Sequence, residues 1–267
     1  MSILRYDHAL VRTVPQLYAR AYAAKGVSID PVLVRAQHDA YVKALERAGV
    51  DVTHVPADEA FYDSVFIEDT AIVWRDAALI TRIAEHREGE QRGVADVLRP
   101  SHRLSTLSEE SRLEGGDVLH TEHVTYVGLT ARTNDRGATE LASFLEQFGR
   151  RVVPVRVSST LHLKTVATYL GDGTLLVAPG SVDVRQFEGL AILEAAPGEA
   201  AGNCVRVRDT ILLPDGCPAT LDRVRHFADA RGVTVVPLDL SEFAKGDGSA
   251  TCLSLLWQGP AVAADHA

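Results

Sequence analysis

The stretch Asp247–Trp257, DGSATCLSLLW, sets Cys252 between small polar residues and an apolar run near the end of a 267-residue chain that holds three cysteines in all. Elsewhere, polar side chains gather where apolar runs begin. Asp63 stands near Glu68 and Asp69, Glu114 near Asp117, His162 near Lys164, Asn203 beside Cys204, and Asp247 near Cys252. These types suit a particular chemistry. A thiolate is the best nucleophile a side chain offers, a histidine moves protons near neutral pH, and carboxylates bind and orient a cation. Read singly, each residue has a plainer explanation. A cysteine is most often a small buried hydrophobe, His162 between two leucines suits a core histidine, and Glu68-Asp69 suits a solvated turn.

What matters is whether the clusters meet. Three segments share one cadence. DPVLVRAQHDAYVKALERAG runs into VDVTHVP, ATELASFLEQFG into RRVVPV, and TLDRVRHFADARG into VTVVPLDL. Each reads as an amphipathic helix, a glycine suited to a left-handed C-cap, and a short β-branched strand. Asp30 and Pro31 suit the N-cap and first position of the first helix. Pairs of short strands lie between: SVFIEDTAIVW with AALITR, GGDVLHT with HVTYVGLT, LHLKTVATYL with GTLLVA, and NCVRVRD with TILLPD. Gly171-Asp172-Gly173 supplies one hairpin turn. The cycle recurs about every 50 residues, the mark of similar units arrayed about an axis. Five units are expected, the last completed by HALVRTV pairing near CLSLLW. One domain spanning residues 1–267 is the expectation. In such an array the same point of every unit converges on the centre, so Cys252 would meet a histidine and several carboxylates distant in sequence.

Composition bounds the partners. The chain is 46% hydrophobic and 24% charged with a net charge of −9. An acidic balance argues against nucleic acid as the main partner. The chain has no apolar run of membrane-spanning length, and its first residues lack a signal-peptide pattern, which points to the cytoplasm. Three dispersed cysteines make neither a disulfide framework nor a zinc site; Cys204 and Cys217 read as buried hydrophobes.

In order along the chain, DSVFIEDT, LEGGDVLHT, VGLTARTNDRGA, LHLKT, NCVRV and DGSATCLSL resemble the dimethylarginine dimethylaminohydrolases. The resemblance runs from HALVRTV to CLSL. It implies an α/β fold of the pentein type, a propeller of five ββαβ units about a pseudo-fivefold axis. By position it makes Cys252 the nucleophile, His162 the general acid/base and Glu114 the residue that orients it. It gathers Asp63, Glu68 and Asp69 around the substrate guanidinium and its approach. It puts Arg87 and Arg132 on the α-carboxylate and the Gly246 carbonyl on the α-amine. The implied reaction converts Nω-methylated arginine to citrulline and a methylamine through a cysteine thiouronium, with no metal or organic cofactor. A homodimer is compatible with family habit.

Three features depart from the family. EHREGE is one residue shorter than the usual pattern near Arg87, Gly246 replaces an aliphatic residue, and the flap PQLYARAYAAKG is shorter than in many relatives. Two other readings stand beside the first: a hydrolase or deiminase of another guanidine, such as free arginine, or a non-catalytic pentein-fold binding protein. The two arginines argue against agmatine, and the presence of both Cys252 and His162 argues against the binding protein.

Overall fold

The computed structural model describes residues 4–157, 160–199 and 202–261. Strand β1 (His8–Arg12) is followed by α1 (Leu17–Ala24), α2 (Leu33–Arg47) and β2 (Asp51–Val55). The hairpin β3 (Ala71–Trp74) and β4 (Ala77–Ile80) leads through α3 (Gln91–Leu98) to β5 (Arg103–Thr106), which lies parallel to β4. Strands β6 (Val118–His120) and β7 (Val124–Leu129), helix α4 (Asp135–Glu146) and strand β8 (Arg151–Arg156) repeat that plan.

The short α5 (Leu163–Val166) opens the next unit, β9 (Ala167–Gly171), β10 (Thr174–Val177) and β11 (Ala191–Glu194). Here a 3-10 turn at Val184–Gln186 stands where the other units have a crossover helix. Strands β12 (Val205–Val207) and β13 (Thr210–Pro214), helix α6 (Pro218–Asp229) and strand β14 (Thr234–Leu238) follow. Finally α7 (Ser241–Ala244) leads to β15 (Leu255–Trp257). β15 pairs antiparallel with β1, His8 opposite Trp257, while β1 runs parallel to β2. The five three-stranded sheets are thus five copies of one unit, one of them closed by segments from opposite ends of the chain.

Local sequence explains the helices. In α2 the buried Val34, Tyr41, Val42 and Leu45 recur at helical spacing, and Asp30 Oδ1 accepts from the N–H groups of Val32 and Leu33. Asn134 caps α4 by accepting from Gly137 N. Gly49, Gly149 and Gly232 end three helices at φ of +84°, +68° and +65°, where a side chain would be strained.

One expectation is corrected. The segments SVFIEDTAIVW, GGDVLHT and LHLKTVATYL were read as strands with a polar cluster at the mouth. In the structure Ile67–Thr70, Gly115–Asp117, Leu163–Val166 and Ala250–Leu253 are short helical turns that precede their strands. A strand sends neighbouring side chains to opposite faces, so Glu68 and Asp69 could not both stay near the axis; a turn allows it. The first two strands of each unit are buried and the third is half-exposed at the rim. The apolar core lies between neighbouring sheets, as where Ile72 and Leu79 meet Val118, Val127, Leu141 and Leu145. No helix among the described residues is long and apolar enough to cross a membrane.

Candidate active site

The helical turns gather at one end of the axis around a cavity of about 1250 Å³. Cys252 reaches it from the turn before β15, His162 from the residue before α5, Glu114 from the residue before the Gly115–Asp117 turn, and Asp69 from the turn before β3. Asp63, Arg87, Arg132 and the Gly246 backbone line the same cavity.

Glycines permit this crowding. A Cβ on Gly115 would collide with the Glu68 carbonyl, and one on Gly116 would sit 2.6 Å from the His162 ring. A Cβ on Gly248 would strike the Phe66 ring. The EGGD run is therefore a close-approach device as well as a turn.

His162 Nε2 lies 2.6 Å from Glu114 Oε2. The other oxygen of Glu114 accepts from Ala84 N at 2.8 Å and from Arg132 Nη1 at 3.2 Å, which fixes the carboxylate. Asp117 Oδ1 accepts from Leu163 N at 2.8 Å and so anchors the turn that carries His162. Burial would push the His162 imidazole down. The Asp69 charge and the Glu114 hydrogen bond overcome it and raise the group to about 9. Burial likewise opposes ionisation of Asp69, yet His162, Arg87 and the Gly116 N–H hold its carboxyl below the ordinary value. The half-buried Cys252 thiol is pushed up to about 12, by burial first and then by the negative charges of Glu68 and Asp69. At neutral pH the cavity is therefore lined by a protonated thiol and an imidazolium.

Two expected substrate contacts have protein partners in this structure. Arg87 was placed on a substrate carboxylate. Its guanidinium is instead buried, with Nη1 donating to Asp69 Oδ2 at 2.6 Å, Nε and Nη2 to the Glu90 carboxylate, and Nη2 also to the Phe66 carbonyl. The exposed neighbour that lines the cavity is His86. Glu68 was placed near the guanidinium. Its carboxylate is instead held by Lys164 Nζ at 2.5 Å and by Thr251 Oγ1 at 2.9 Å. Both Glu68 and Lys164 line a separate, smaller cavity bordered by β3, β6, β9, β12 and β15. Glu68 still acts on Cys252 through its charge.

Arg132 remains a quarter exposed and is the arginine that faces the large cavity with an accessible side chain. Asn203 bonds to Lys164 O, Thr251 N and Thr251 Oγ1 and also lines the large cavity. Cys204 and Cys217 are buried. Tyr22 and Thr251 were given no part in the site, because their partners are distant in sequence; Lys164 was read in the polar cluster with His162 but was given no partner.

Donor atoms of Asp69, Glu114 and His162 lie within 4.8 Å of one another, close enough to hold a cation. His162 and Glu114 are already bonded to each other, Asp69 to Arg87 and Gly116 N, and Glu114 also to Arg132 and Ala84 N, an arrangement suited to moving a proton.

The fold and site define a five-unit α/β propeller with a cysteine, a carboxylate-paired histidine and a buried aspartate on one axial cavity. A family model described as N,N dimethylarginine dimethylhydrolase, eukaryotic, matches residues 20–196. Two relatives named N(G),N(G)-dimethylarginine dimethylaminohydrolase are similar over most of their length. The Pseudomonas aeruginosa protein is 35% identical, covering 82% of this chain and 86% of the relative. The Streptomyces coelicolor protein is 38% identical, covering 85% and 87%. A solved structure of the Pseudomonas aeruginosa enzyme, a cysteine-to-serine mutant complexed with citrulline, superposes with a TM-score of 0.86 at 31% identity, covering 94% of this chain and 99% of that one. The chain belongs to the dimethylarginine dimethylaminohydrolase family, and its fold is the pentein-type propeller.

Proposed function

We propose that this chain, acting as one catalytic domain, hydrolyses Nω-methylated arginine to citrulline and a methylamine through a covalent intermediate on Cys252. The observation that carries the reading is the convergence of Cys252, Asp69 and the 2.6 Å His162–Glu114 pair on one cavity, in a chain of this family.

Each step has a residue. The substrate guanidinium enters beside Asp69, which fixes its plane. Its positive charge offsets the carboxylates that hold the Cys252 thiol protonated, so the thiol loses its proton to solvent as the cation binds. The thiolate attacks the central guanidinium carbon and forms the C–S bond. His162, already an imidazolium, gives its proton to the methylated nitrogen as the C–N bond breaks. The neutral imidazole then takes a proton from water, whose oxygen attacks the thiouronium carbon and displaces the thiolate as the remaining hydroxyl proton passes to solvent. Nitrogen and sulfur each leave once, and the product is the ureido group of citrulline. Arg132 receives the α-carboxylate and the Gly246 carbonyl the α-amine.

The test is a panel of dimethylarginine, monomethylarginine, arginine and agmatine with a colorimetric ureido-group readout. Turnover of the methylated arginines above arginine is expected. Preference for arginine favours the deiminase reading, and no turnover of any member defeats the assignment.

A further inference from the structure

Gly246 is a glycine for a visible reason. A Cβ there would lie 2.7 Å from the hydroxyls of both Tyr18 and Tyr22. These tyrosines are four residues apart on α1, so they share one helix face, with ring centroids 5.0 Å apart. The side chain missing from position 246 is replaced by two phenols from the flap helix.

The Tyr22 hydroxyl is placed between two acceptors. It donates to Asp63 Oδ1 at 2.9 Å and lies 3.2 Å from the Gly246 carbonyl oxygen. Its single proton can serve only one of them fully. The Tyr18 hydroxyl is completely buried with no hydrogen-bond partner among the described residues. The face of α1 thus brings a phenol, a carboxylate and a carbonyl together on the cavity wall. Three oxygens converge, with one proton between them and one formal negative charge. That set is deficient in donors, and an ammonium group has three to give.

We propose that Tyr22 is a specificity-determining residue that, with Asp63 and the Gly246 carbonyl, receives the α-ammonium of the substrate. The inference rests on the amino-acid substrate proposed above. Its phenol oxygen accepts from the ammonium while its proton goes to Asp63. Asp63 therefore serves the amine end of the substrate, and Asp69 the guanidinium end. Tyr62, edge-on to Tyr22, and Lys25, whose Nζ lies 5.0 Å from the Tyr22 ring centroid, pack against the ring.

The experiment compares wild type with Tyr22→Phe, which keeps the ring and removes only the hydroxyl. Two numbers are read: KM for dimethylarginine and the inhibition constant of its deamino analogue, which keeps the carboxylate and guanidine. Tyr22→Phe should raise KM roughly tenfold or more with kcat little changed, because a hydrogen bond to a charged group is lost. It should leave the analogue within about twofold, since the analogue has no ammonium for the Tyr22 hydroxyl to contact. Equal weakening of both ligands, or of neither, overturns the inference. Gly246→Ala, which displaces both phenols, gives a second test if Tyr22→Phe is unstable: the same selective loss supports the inference and parallel loss overturns it. Absence of wild-type turnover on any methylated arginine overturns the functional assignment and this inference together, an outcome distinct from a failure of Tyr22 alone.

Discussion

His162 and Glu114, 48 residues apart in sequence, meet at 2.6 Å and share a buried hydrogen bond that helps keep the imidazole protonated. Glu114→Gln keeps the shape and removes the charge. The His162 group, at about 9 in the native protein, should then fall toward its ordinary value. The acid needed for amine expulsion would be lost at lower pH. The pH profile of kcat should show its alkaline limb moving down in Glu114→Gln; an unmoved limb removes Glu114 from this role.

Cys252→Ser should abolish turnover without unfolding the protein, because a serine hydroxyl is hardly ionised near neutral pH. The resting thiol, at about 12, should itself be sluggish toward a neutral alkylating agent. A cationic haloamidine should modify it much faster, since its charge offsets Glu68 and Asp69. Equal rates for neutral and cationic reagents of matched intrinsic reactivity would argue against substrate-assisted ionisation.

Arg87→Ala and Arg132→Ala should behave differently. Arg87 is buried against Asp69 and Glu90, so its loss strands two buried carboxylates and should cost about 3–5 kcal/mol of stability, read as a large fall in Tm. Arg132→Ala should leave Tm closer to wild type and weaken dimethylarginine roughly 10- to 150-fold, while sparing a decarboxylated analogue that has no carboxylate to contact. If Arg132→Ala weakens both ligands alike, it does not read the carboxylate.

Stability should decline on the alkaline side. His162 is raised above its unfolded value near 6.5, so its contribution is complete below about 6.5 and is lost as pH rises through about 9. Cys252 is raised from about 9 to about 12, so its contribution is complete below about 9 and is lost as pH climbs toward 12. Thermal melts across this range should flatten between about 6.5 and 9 in His162→Asn, and above about 9 in Cys252→Ser. A wild-type profile flat from pH 6 to 10 contradicts both shifts.

Helices α2, α4 and α6 were legible because their signals are local: apolar spacing and terminal glycines at Gly49, Gly149 and Gly232. The pairing of β1 with β15 was legible because it completes a repeat. Helix α3 was not read, because Gly93 interrupts its pattern; that glycine lies where a Cβ would sit 3.4 Å from Arg12 Nη2.

By itself the sequence determined the five-unit repeat, the order of the polar clusters and their convergence on the axis, since each follows from neighbours within a few residues and from repetition. Tertiary structure alone decided which charges are free. Glu68 lies far in sequence from Lys164, and their ion pair removes its carboxylate from the large cavity. His86 and Arg87 are adjacent, yet a 3-10 turn exposes one on the cavity and buries the other against Asp69. Tyr22 reaches Gly246 across 224 residues, through a space that only a missing side chain leaves. Residue types fix what a side chain can do; its partner is chosen by backbone geometry and burial, which depend on the whole folded chain.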